Sequence, residues 1–177
     1  MHRSVHRIPR VLYSWTPNWW GGCTMTIEVK NSKGEVIFTY PKGEDKDFDG
    51  ADLRGVNLTG GILDGADFSD ANLEGCSLQD ADCYWATFFR VRLREANLRG
   101  GVFCGADLKL ADLTGADLRG ANFGQDNVDG STQLQGAILT DALTENAKFT
   151  GAEYDSDTRF PKGFDPSKHA MRLVSKE

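Results

Sequence analysis

From Phe48 to Tyr154 the chain repeats every five residues: a small residue, a short polar one, a large apolar centre, then two turn-friendly positions. Centres begin at Phe48, Leu53, Leu58 and Leu63 and continue at every fifth residue to Phe123 and Val128. One extra residue then shifts the phase, and the count resumes at Leu134, Leu139, Thr144, Phe149 and Tyr154, giving 22 units. A fixed short period over more than a hundred residues signals stacked repeats. A helix does not fit, because five steps of about 100° carry the apolar centre off any single face. A long flat strand fails too, since an odd period turns the pattern over at each repeat. What remains is a short strand, a corner, and another short strand.

Residues two apart in extended chain face the same side. The small residue and the centre therefore both point inward, and the Asp or Asn between them points out. Alanine fills 14 of the 22 small places, while Lys46 and Asp126 break the rule. Two places after the centre stand Gly50, Gly55, Gly60 and most later glycines, with Asp70, Asp80, Asp141 and Asn146. These residue types tolerate the tight or left-handed backbone of a corner. Phe48, Phe68 and Phe88 recur every 20 residues, as do Phe103 and Phe123, which predicts four sides per coil. Twenty-two units then make about 5.5 coils, a rod roughly 26 Å long at the usual strand spacing.

The units ADLRG, ADFSD, ANLEG, ANLRG, ADLKL, ADLTG and ANFGQ resemble the A(D/N)LXX repeats of pentapeptide-repeat proteins. That resemblance covers about two-thirds of the chain. It implies an all-β fold, a right-handed four-sided parallel β-helix. A fold of this kind hosts many functions, so function has to be argued from a site.

The chain divides into a basic and aromatic extension (1–24), a β-hairpin cap (25–43), the β-helix (44–154) and a C-terminal cap (155–177). The extension carries Arg3, Arg7, Arg10, Tyr13, Trp15, Trp19 and Trp20. Pro9 and Pro17 interrupt any helix there, and a loosely ordered segment is expected. Ile27–Val29 and Val36–Phe38 are β-rich runs around the turn residues Asn31 to Gly34, a hairpin placed to cover the first coil. At the far end Tyr154, Phe160 and Phe164 can close the last coil. Asp165-Pro166 reads as the start of a short helix running to Leu173. The extra residue after Val128 predicts an outward bulge that keeps Asp126 from the core.

Net charge is −6, unevenly placed: the segment from Glu44 to Glu153 holds 20 acidic and 9 basic residues. Such a body disfavours direct nucleic-acid binding, which needs a basic surface. Cys76 and Cys83 take inward places, whereas Cys104 follows a centre and is expected to face out. No cysteine stands at metal spacing with a histidine, and no cofactor is implied. No apolar run approaches membrane-spanning length. A reduced, cytoplasmic protein is the expectation.

Outward Asp67, Asp107 and their like are the polar position of the repeat, and acid–base catalysis needs a cleft that a straight-sided rod does not supply. No serine or cysteine lies in a nucleophile motif, so the chain is read as no enzyme. Surfaces are the place to look. The inward rule leaves Tyr84, Trp85 and Phe89 facing out, with Leu110 one coil from Arg90 near the same edge. Arg90, Arg92, Arg94, Arg99 and Arg119 form a basic belt across the middle, and Arg54, Glu74 and Arg94 stack as a candidate ion-pair ladder. Exposed aromatics beside arginines are typical of interface hot spots; the competing reading is that the Trp-rich extension or the hairpin folds over this patch. The function expected is a non-enzymatic interaction or scaffold module with a protein partner. A homodimer could form through the C-terminal segment or the Trp85 patch. The family resemblance supplies an alternative, a DNA-mimicking binder of type II topoisomerase (gyrase) like the quinolone-protecting members.

Overall fold

The structure, a computed structural model, describes residues 12–17, 23–30, 33–42, 48–128 and 130–175. From Phe48 onward the backbone winds as a four-sided coil whose parallel bridges join residues 20 apart, such as Asp52 with Asn72 and Asn72 with Arg92. Within each side the amide of the following small residue closes a turn on the centre's carbonyl, as from Ala51 N to Phe48 O at 3.0 Å. The third residue of that turn has positive φ, the conformation a type II turn requires. That need explains the corner glycines.

Side chains sort by position. Face 1 carries the centres Phe48, Phe68, Phe88, Leu108 and Leu134, and face 2 carries Leu53, Leu73, Leu93, Leu113 and Leu139. Face 3 has Leu58, Leu78, Leu98 and Leu118, and face 4 has Leu63, Cys83, Phe103, Phe123 and Phe149. All are buried, as are nearly all the small residues two places before them. Stacked rings run through the core: Phe48 on Phe68 (4.7 Å between centroids), Phe68 on Phe88 (5.1 Å), Phe103 on Phe123 (4.9 Å) and Phe123 on Phe149 (5.2 Å). Phe88 meets Phe103 at 5.8 Å and 57°, where the stack steps from face 1 to face 4. The 15-residue break in the phenylalanine spacing is this step.

The insertion is larger than the sequence phase suggests. Asp107 bridges Gln133 and Asn122 bridges Lys148, both 26 residues apart. Six residues are therefore looped out after Phe123. Val128 is no centre but 68% exposed, which leaves 21 units. Thr132, buried, closes the base of the loop: its Oγ1 donates to Phe103 O at 2.8 Å and accepts from Gly105 N at 3.2 Å.

At the C-terminal end Phe164 meets Phe149 edge-on at 5.4 Å, and Phe160 stacks on Phe164 at 5.0 Å. The helical piece is shorter than the sequence suggests. Asp165 caps a 3-10 helix, Pro166–His169, by accepting from Ser167 N. Ala170 then adopts left-handed backbone, and a short strand, Arg172–Leu173, pairs in parallel with Glu153–Tyr154. Cap bonding to Asp165 favours one tight turn, and strand pairing with the last coil takes the residues beyond it.

At the other end β1 (Leu12–Pro17), β2 (Cys23–Lys30) and β3 (Val36–Lys42) form an antiparallel sheet in the order β1-β2-β3. Part of the extension expected to be loosely ordered is thus a strand, paired from Leu12 with Glu28 to Pro17 with Cys23. Pro17 is tolerated because β1 is an edge strand of the sheet. The expectation that the hairpin covers the first coil turns on residues 43–47. Those, with Arg3, Arg7, Trp19 and Trp20, lie outside the described residues. No helix among the described residues is long and apolar enough to cross a membrane.

Candidate functional site

The expected surface residues are spread around the rod by the four-sided register. Tyr84 lies on face 4, Trp85 on the corner between faces 4 and 1, and Phe89 on face 1. Arg90 and Leu110 occupy the next corner in successive coils, where Arg90 N donates to Lys109 O at 2.9 Å. These five share one side of the molecule. Arg92 and Arg94 fall on face 2 and Arg99 on face 3, so the arginines do not make one surface with the aromatics. Nor do they form the expected ladder: Arg54 pairs with Asp52 (2.6 Å) and Arg94 with Asp112 (3.2 Å), not through Glu74. A long guanidinium reaches whichever carboxylate its rotamer allows, within its own unit or in the next coil. Arg119 chooses its own unit, through Asp117 at 2.6 Å. The arginines of these pairs are exposed, and such solvent-screened pairs contribute little to stability.

Trp85, Arg90 and Glu95 take three consecutive corners of one coil with positive φ (55°, 54° and 55°), and Leu110 follows at 59°. Elsewhere in the coils the positive-φ corners are Gly, Asp or Asn. Left-handed backbone costs other L-residues about 1–2 kcal/mol each. Local strain tends to cluster where a surface is used. Trp85 is 51% exposed and Leu110 53%. The Arg90 guanidinium carbon lies 4.9 Å from the Phe89 ring centroid, and Arg90 Nη2 meets Asp70 Oδ2 at 2.5 Å.

The large corner side chains extend along the rod axis over glycines of the next coil. A Cβ at Gly105 would come within 3.0 Å of the Trp85 indole, and one at Gly136 within 2.6 Å of Leu110 Cδ2. The indole is also tied by its polar end. Asp126 Oδ2 accepts from Trp85 Nε1 and from Tyr84 Oη, both at 2.8 Å, while Oδ1 accepts from Val128 N at 2.8 Å and Gly130 N at 2.5 Å. Burial raises the Asp126 pKa, but these four bonds outweigh it and hold the carboxyl below its ordinary range. Burial likewise raises the Tyr84 phenol, and the negative Asp126 adds to the shift.

This clasp overturns one expectation. Cys104, at an outward place, is only 6% exposed. It lies on the same face as Tyr84, beside the clasp, and its raised pKa reflects burial first and Asp126's charge second. Cys76 and Cys83 are core thiols, the former pushed up to about 12 and the latter well above its ordinary value by burial. Among the described residues no cluster of His, Cys, Asp or Glu could hold a metal.

Gly105 and Gly120 have the same backbone conformation (φ 71° and 70°), yet a Cβ at Gly120 would meet nothing within 4 Å. Gly105→Ala is therefore expected to lower stability by about 1 kcal/mol more than Gly120→Ala, the cost of displacing a packed ring. Urea unfolding of the two variants measures the difference. Equal losses would mean that the indole does not rest on Gly105.

The sequence showed that Trp85 faces out and that Asp126 breaks the inward rule. It did not show that the two meet, 41 residues apart. The one signal was register: Gly105 is one coil beyond Trp85, and the insertion begins near the corner one coil further.

A family model described as pentapeptide repeats matches residues 51–82, 63–94 and 86–125, with 8 copies. Among solved structures, the pentapeptide repeat protein Rfr23 from the cyanobacterium Cyanothece 51142 is 31% identical, with a TM-score of 0.50. The match covers 75% of this chain and 78% of that one. A pentapeptide repeat protein from Nostoc PCC 7120 is 32% identical over 73% of this chain and 86% of that one, at a TM-score of 0.40. QnrB1, a plasmid-mediated fluoroquinolone resistance protein, is 20% identical over 72% of this chain and 77% of that one, at a TM-score of 0.38. No curated protein matches the chain.

Proposed function

The chain belongs to the pentapeptide-repeat family, and from that premise we propose that it is a non-enzymatic interaction module whose partner, a protein, docks on the edge formed by Trp85, Phe89, Arg90 and Leu110. One observation carries the reading: the strained corners that are neither glycine nor Asp or Asn gather on the coil of Trp85 and its neighbour, and two of their side chains are half-exposed apolar groups. A strained corner bearing a large exposed apolar side chain is costly for folding alone, and use at an interface accounts for it. Arg90, seated on Phe89 and already paired with Asp70, supplies the polar rim. Arg92, Arg94 and Arg99 belong to other faces and serve to neutralise neighbouring acids. The cell compartment expected is the cytoplasm, and self-association through the same edge or the C-terminal segment is the form in which the partner is a second copy.

The test is a cross-linking pull-down from source cells with the full chain and with Leu110→Asn plus Phe89→Ser. Asparagine tolerates the left-handed corner, so the fold stays intact. The native chain is expected to enrich a partner that the double variant loses. Equal capture by both, or no capture by either, removes the reading.

A second reading, a DNA-mimicking binder of gyrase, is favoured by the acidic body, 20 acidic against 9 basic residues between Glu44 and Glu153. It rests on that charge and not on the likeness to QnrB1. Arginines interrupting the acidic faces weigh against it. Inhibition or protection of gyrase in a supercoiling assay at micromolar protein would support it, and no effect would remove it.

A further inference from the structure

The looped-out residues after Phe123 meet the coil in an unusual way. The ladder runs past them unbroken: Phe123 N donates to Lys148 O and Gln125 N to Thr150 O before the loop, and Gln133 N to Ala106 O after it. Thr132 fixes the point of return. Between these anchors, the hydrogen bonds that join the described loop residues to the coil include those Asp126 Oδ2 accepts from Tyr84 Oη and Trp85 Nε1, and a long one from Arg172 Nη1 to Ser131 Oγ at 3.4 Å. The bonds from Val128 N and Gly130 N to Oδ1 lie within the loop and travel with it. Among the described residues, lifting the loop thus breaks no ladder bond and moves no centre out of the core. Openings of that kind cost less than global unfolding.

We infer that Asp126 is a latch: engaged, it holds the Trp85 indole along the rod over Gly105 and covers Cys104; released, it frees the indole N–H and uncovers the thiol while the β-helix stays wound. The latch is a two-position element whose balance any ligand of the Trp85 edge would shift. It stands whether or not a protein docks there, because the geometry concerns this chain alone.

Cysteine footprinting reads the two positions apart. The folded full chain is pulsed with iodoacetamide, and alkylation of Cys104, Cys76 and Cys83 is followed by peptide mass spectrometry. In the native chain Cys104 is expected to react at least about tenfold faster than Cys76 and Cys83, because only local opening reaches it. Asp126→Asn keeps the volume and removes the charge. It is expected to speed Cys104 by on the order of tenfold and leave the two core thiols unchanged. Tyr84→Phe, removing one of the two bonds, should give a smaller increase. If Cys104 reacts no faster than the core thiols, opening is global and the latch does not exist. An Asp126→Asn effect that is nil, or equal at all three cysteines, overturns it as well. Should that variant not fold, the native comparison alone decides.

Discussion

Phe103→Ala is expected to destabilise the protein by about 3–5 kcal/mol, the cost of a large cavity in a close-packed core. Phe103 is fully buried, stacked on Phe123 at 4.9 Å and tilted against Phe88 at 5.8 Å. It joins the aromatic run of face 1 to that of face 4. A globular core can relax around a void by shifting elements, but here the neighbours on either side are held by the ladder, as by Phe103 N to Asn122 O at 2.7 Å. Collapse is therefore limited, which puts the loss at the upper part of the range. Urea denaturation measures it. A loss under about 1 kcal/mol would show that the ring is not wedged between its neighbours.

Asp155→Ala is expected to cost about 2–3 kcal/mol, because it orphans several donors at once. The last coil needs a substitute for the missing next turn. Where Gly115 N meets the backbone carbonyl of Thr140, Gly136 N meets Asp155 Oδ1 at 2.9 Å instead. The same oxygen accepts from Asp157 N, Thr158 N and Thr158 Oγ1, each at 3.0 Å. Asp155 is 8% exposed. Burial by itself would raise its pKa, but the bonds prevail and the folded value lies below the ordinary one of about 3.9. The folded state therefore binds the proton more weakly than the unfolded chain. Its contribution is complete above about pH 4 and disappears as pH falls through the lower folded value. Asp155→Asn keeps an acceptor oxygen, so it should lose less stability and flatten part of the acid limb. Thermal melts of the three proteins from pH 7 to pH 2.5 test this. An acid limb identical in wild type and Asp155→Asn would refute the assignment.

What the sequence revealed depended on period. Inward and outward places follow from residue parity in a short strand, so Leu73, Cys76 and Ala111 could be placed without coordinates. So could the corners, because backbone with positive φ selects Gly, Asp and Asn. Period was blind to the insertion: a skipped unit plus one residue looks locally like a one-residue slip, and Val128 passed for a centre. The axial spacing carried the answer, since Phe123 and Phe149 share a face only if six residues are looped out. Cys104 was misplaced for the same reason, as the looped residues settle beside an outward position. The Asp126 clasp joins two coils through side chains that obey no repeat. Ion pairs were unreadable because flexible guanidinium groups choose among several carboxylates within reach. At the amino end Pro17 looked like a breaker and proved to be the last residue of an outer strand.

The four-sided coil requires that residues 20 apart lie directly over one another, and diffraction from a crystal of the full chain measures that most directly. Leu73, Leu93 and Leu113 are expected in a single file about 4.8 Å apart, the file continuing to Leu139 across the insertion, with Trp85 Nε1 on Asp126. Leucines scattered over different faces, or Val128 inside the coil in place of Leu134, would contradict it.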